Sequence, residues 1–187
     1  MSRRRARAGY FGPASGGGAA IALDDVEISI LRSLAVQLLE LIGPGDQPAG
    51  AEEDPLAQLF AEGPTKPPED PALARLFPDA YEETADASEF RRYTENDLRA
   101  RKREDALAMI RVLDRGGPVL ELTAEEARQW LGGLNDLRLT LGTRLEVTEE
   151  DSDELYRLAD SDPRKPLVMA YLWLGGLQES LVETLLG

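Results

Sequence analysis

Neither cysteine nor histidine occurs anywhere in the 187 residues. Their absence removes disulfides, thiol nucleophiles, imidazole acid–base catalysis and the usual zinc ligand sets. A redox switch built on a cysteine pair is excluded on the same ground. The sulfur chemistry that remains is reversible oxidation of Met1, Met109 or Met169. Met109 and Met169 fall on apolar faces of expected helices and read as core residues, so the chain is not expected to sense oxidants itself. No secretory signal or membrane span is expected: the apolar stretch near the N-terminus is broken by Gly16-Gly17-Gly18 and again by Asp24-Asp25. A cytoplasmic location is the default expectation.

Motifs for bound phosphate or calcium are missing too. Gly16-Gly17-Gly18 lacks a downstream Lys-Ser/Thr, and Gly132-Gly133 falls inside an expected helix. The run Glu149-Glu150-Asp151-Ser152-Asp153-Glu154 lacks the central glycine and the closing glutamate of an EF-hand. It reads as a helix start, where acids favour the positive end. With 35 acidic residues chance carboxylate pairs are common, and no spacing singles out a catalytic one. The chain therefore reads as non-enzymatic, with no catalytic residue, cofactor or metal site.

Charge is what the chain has in excess. The net is −14, and it is uneven. Arg3, Arg4, Arg5 and Arg7 sit in the first seven residues with no acid, leaving 17 basic against 35 acidic residues in the remainder. Residues 1–18 read as a flexible basic arm, with contact to nucleic acid as the alternative. The acidity of the rest favours a basic protein partner over DNA, and direct DNA binding is not the preferred reading.

The apolar fraction, 42%, suffices for one core, and residues 19–187 read as a single, mainly α-helical domain. A first helix starts at Asp24 or Asp25 and ends at Gly43, with Ile30, Leu31, Leu34, Leu38, Leu41 and Ile42 at helical spacing. Residues 43–88 hold eight of the twelve prolines and read as a wrapping insert. Two short helices are predicted in it, Pro55–Phe60 and Pro71–Phe77, with a mobile stretch Glu62–Asp70 between. A long helix follows over residues 87–113, then a strand 119–122 that pairs with 19–23 in a minimal two-stranded element. Tyr10-Phe11 could add a further short strand. A second long helix, 124–144, starts with a capping box of Thr123 and Glu126. Residues 151–160 read as a polar helix, and 164–186 as an almost all-round apolar one, buried centrally or at a subunit interface. Gly175-Gly176 at its centre would let another backbone come close, so a homodimer through 164–186 is a further expectation. There is no internal repeat.

Two constellations stand out. In the helix 124–144, Asn135 and Arg138 are three apart, and Asp136, Thr140 and Arg144 four apart, so each set lines a face. These five read as a polar network locked against Glu95, Asn96 or Asp97, with an exposed recognition strip as the alternative. Trp130 and Trp173 read as core aromatics beside it. In the long helix, Arg91, Arg92, Arg99, Arg101, Lys102 and Arg103 are spread over several faces. Arg91 and Arg101 read as internal partners of acids, while Arg99, Lys102 and Arg103 are the contact candidates.

Four stretches carry a family resemblance: IALDDVEISILRSL, ARLFPDAYEETADASEFRRYTENDLRARK, LNDLRLTLGTRLEVTEED and YLWLGGLQESLVETLL. Over residues 19–187 the chain resembles the actinobacterial AosR-like oxidative-stress regulators, formerly catalogued as a domain of unknown function. The resemblance implies transcriptional regulation under oxidative stress, by engaging a sigma factor or RNA polymerase. The family's gene neighbourhood suggests the alternative, a partner of the Clp protease adaptor.

Overall fold

A computed structural model of the chain describes residues 8–45, 56 and 62–187. The arginines Arg3, Arg4, Arg5 and Arg7 and most of the helix predicted over Pro55–Phe60 lie outside the described residues.

The fold is mainly α-helical with one small antiparallel sheet. Helix α1, Asp25–Ile42, starts where Asp24 and Glu27 form a reciprocal capping box, satisfying two amides that the first turn leaves free. It buries Leu31, Ala35, Leu38 and Ile42, whereas Ile30 stays 43% exposed. Helix α2, Pro71–Leu76, has proline in its first turn and Asp70 as its cap. Helix α3 runs Thr84–Arg115, longer at both ends than its apolar pattern suggests. Helix α4, Ala124–Arg144, opens on the Thr123/Glu126 capping box. Helix α6, Lys165–Leu186, closes the chain.

The polar helix expected over 151–160 is instead a 3-10 turn, Glu149–Asp151, and one helical turn, α5, Ser152–Leu155. This stretch has no apolar stripe to bury, so nothing offsets the cost of helix nucleation.

The sheet corrects the expected two-stranded element. Three strands, β1 (Gly12–Pro13), β2 (Ala19–Ile21) and β3 (Leu120–Leu122), run antiparallel in that order. Ala19 faces Leu122 and Ile21 faces Leu120. Pro13 is tolerated because β1 is an edge strand. Gly18 is obligatory, since a Cβ there would lie 1.9 Å from the Leu122 carbonyl oxygen. The arm expected to stay free through residue 18 is therefore folded from residue 8 onward. Gly9 donates to the Ala22 carbonyl at 3.0 Å, and the buried Phe11 amide donates to Ser180 Oγ at 3.1 Å. Phe11 also meets Trp130 edge-on, ring centres 5.9 Å apart, so apolar burial outweighs the freedom of the glycine-rich start.

The central element is α4, not the last helix. It packs on α1, α2, α3, α6 and β3, and its Trp130 and Leu134 are fully buried. Helix α6 turns Val168, Leu174, Leu177 and Leu181 inward and leaves Met169 54% exposed. Met169 is thus a surface residue, in contrast to the fully buried Met109. No helix among the described residues is long and apolar enough to cross a membrane.

Candidate functional site

The polar side chains of α3, α4 and α6 form three groups. The first is a ladder on α3, where Arg91, Glu95 and Arg99 recur every four residues and share one face. All three are buried. Arg91 Nη1 donates to Glu95 Oε2 at 2.6 Å, and Arg99 Nη2 donates to Oε1 of the same carboxylate at 2.8 Å. Arg91 Nη2 also reaches the Phe77 carbonyl and Asp79 Oδ1, at 3.0 and 2.8 Å. Arg99 donates to the Ile42 carbonyl at the end of α1 and lies 4.5 Å over the Phe77 ring. Burial pushes the Arg91 pKa down, but Asp79 and Glu95 together hold it above its ordinary value. The ladder bolts α1, α3 and the segment after α2 together. The segment before α2 is tied down as well: Gly63, in the stretch expected to be mobile, donates to the Arg92 carbonyl at 2.8 Å.

The second group sits where α3 crosses α4. Gly132 and Gly133 let the helices close, for a Cβ would meet Asp105 Oδ2 at 2.4 Å or Met109 Sδ at 2.3 Å. Beside that contact Lys102 Nζ donates to the buried Asp136 Oδ1 at 2.7 Å. Burial raises the Asp105 carboxyl to about 6, helped by the charge of Asp136 and opposed by Arg101 and Lys102. Burial raises Asp136 as well, against the pull of Lys102.

The third group faces outward between α4 and α6. Arg138 Nη1 donates to Gln178 Oε1 at 2.9 Å, and Gln178 Nε2 donates to Asn135 Oδ1 at 3.3 Å. The Arg138 guanidinium lies 5.3 Å from the Tyr171 ring centre. Arg138, Tyr171 and Gln178 line a groove of about 570 Å³ that continues along α6 past Gly175, Gly176 and Val182.

The five-residue strip of α4 is thus split among neighbours, and none of its hydrogen bonds goes to Glu95, Asn96 or Asp97. Asp136 bonds α3, Asn135 and Arg138 bond α6, and Thr140 returns its hydroxyl to the Asp136 carbonyl. Arg144 pairs with Asp70 at 2.8 Å, holding that carboxyl below its ordinary range while Asp70 caps α2. Among the basic candidates, Arg99 and Lys102 point inward, and Arg103 reaches toward the Leu39 carbonyl at 3.4 Å. Arg101, expected inside, is exposed. Buried arginine needs matched acceptors, and Glu95 supplies them on one helix face only. Gln178, Tyr171 and Asp105 are partners that the sequence does not announce. Their pairings join different helices, and no short-range spacing signals them.

The family described as Domain of unknown function (DUF2017) matches residues 4–185. The chain is 32% identical over 175 residues to proteins named oxidative stress regulator AosR from Mycobacterium tuberculosis and Mycobacterium bovis. A Mycobacterium leprae relative bearing the AosR name is 30% identical over 176 residues. Each alignment covers 86% of this chain and 79% of the relative. No solved structure matches the chain significantly.

Proposed function

The chain belongs to the Domain of unknown function (DUF2017) family, and from that premise we propose that it is a non-enzymatic regulator that acts by binding other proteins. The names of its relatives support a regulatory role in the oxidative-stress response. The finer reading is transcriptional: the protein engages a sigma factor or RNA polymerase. One observation supports a protein partner over nucleic acid. Arg91, Arg99 and Lys102, the basic residues best placed to form a stripe on α3, are matched by Glu95 and Asp136 inside the fold. The body that remains is strongly acidic, and such a surface repels phosphate backbones. With no cysteine in the chain, the oxidant signal reaches this protein from elsewhere or through its methionines.

The test is affinity purification of the tagged full chain from its own host, with nuclease, before and after oxidant. Enrichment of a sigma factor or polymerase subunits is the expected result. Enrichment of Clp components instead would replace the transcriptional reading. Tight binding of duplex DNA at physiological salt would overturn the preference for a protein partner.

A further inference from the structure

We propose that the groove along the outer face of α6 docks an amphipathic helix of a partner protein, one whose apolar stripe is flanked by lysine or arginine. This rests on the reading that the chain works by binding proteins.

The shape comes from the outer stripe of α6. Leu172, Gly176, Glu179 and Glu183 line the groove and alternate at three and four residues, the spacing of a helix–helix seam, and Met169 and Leu186 continue that spacing outside it. Met169 and Leu186 are 54% and 84% exposed. At the centre, a Cβ built on Gly176 would meet nothing within 4 Å, so the floor of the groove is open to an approaching helix. Tyr156, 71% exposed, stands on its rim and supplies a further apolar wall.

The charges name the occupant. Among the described residues Glu179 and Glu183 have no ion-pair partner, and Arg138, at the other end of the groove, is held by the neutral Gln178. Two unmatched carboxylates on a chain of net charge −14 select a basic helix. A second copy of this chain fits less well, because it would bring another net −14 and four glutamates into one seam.

The probe is a fluorescein-labelled Leu/Lys amphipathic peptide of about 18 residues, about 27 Å as a helix, read by anisotropy against the full chain. Its control is a permuted peptide of the same composition with no apolar face. The native chain is expected to bind the amphipathic peptide at least about tenfold more tightly than the permuted one. Gly176→Leu, which fills the floor without a clash, and the double reversal Glu179→Lys/Glu183→Lys are each expected to weaken it by about tenfold or more. A distant reversal on exposed sites, Glu40→Lys/Glu82→Lys, is expected to change it by less than about twofold. Equal weakening by the distant reversal would show bulk attraction and overturn the proposal, as would undiminished binding to Gly176→Leu. Sedimentation showing a native dimer that Gly176→Leu converts to a monomer would give the groove to a second copy and overturn it too. If Gly176→Leu still captures the transcription machinery from host extract, the groove is wrong while the regulatory reading stands. If the native chain captures none, that reading itself fails.

Discussion

The α3 ladder and the α4–α6 face use the same residue types to opposite ends. On α3, Arg91, Glu95 and Arg99 are buried, and every charge is matched within the fold. On the outer face Arg138, Glu179 and Glu183 border a groove and none has an ion partner among the described residues. A charge taken out of water must be matched or it is costly, so the ladder is committed to holding helices together. A charge left unmatched at the surface costs little and stays free for a partner. The difference separates the scaffold from the surface proposed for recognition more surely than residue identity does.

The largest effect should come from breaking the ladder at its middle. Glu95→Ala leaves two buried guanidinium groups facing each other and is expected to cost about 3–5 kcal/mol in urea unfolding. Replacing the whole ladder, as Arg91→Met/Glu95→Leu/Arg99→Met, is expected to cost less than Glu95→Ala alone, because no buried charge is stranded and only the Phe77 and Ile42 carbonyls lose their donors. If Glu95→Ala is instead nearly silent, the ladder is solvated and the contrast between the two regions collapses.

Lys102→Ala comes next. It strands the Asp136 carboxylate, which is only 2% exposed, at an expected cost of about 1–3 kcal/mol.

Asp105 gives a smaller effect with a distinctive sign. Its folded pKa, about 6, lies above the ordinary 3.8, so the folded state holds a proton that the unfolded state has released. Stability from this group is fully present below the ordinary value and is lost as pH rises through about 6. The protein should therefore gain stability as pH falls from about 7.5 toward 5. Asp105→Asn should raise stability at about pH 7.5 by about 1 kcal/mol, discounted for partial exposure, and flatten that gain. A titration curve unchanged by the substitution would place Asp105 in water.

Much of this was legible in the sequence. The Thr123/Glu126 capping box, a cap at Asp24 or Asp25, the ends of α1 and α4, and the placement of α2 follow from caps and apolar spacing, whereas the reciprocal bond from Glu27 to Asp24 does not figure in that reading. The three-stranded sheet was only half legible. Phe11 is fixed by Ser180 and Trp130, residues more than a hundred positions away, and no local pattern reports such a contact. Arg91, Glu95 and Arg99 share a four-residue spacing, yet from sequence Arg99 reads as a contact candidate and Glu95 as a partner of the α4 strip, because whether that face is buried depends on Phe77 and the end of α1 packing over it. The strip of α4 is visible as ordered polarity, while its three separate destinations depend on how five other elements surround that helix.

The most direct test of the contrast is to measure melting and partner capture on one preparation of Arg138→Ala. Arg138 is half-buried and bound to a neutral partner, so unfolding free energy should change by less than about 1 kcal/mol while recovery of the sigma factor or polymerase from host extract is lost. Undiminished recovery, or a loss matched by a large drop in melting temperature, would contradict the account and return Arg138 to the scaffold.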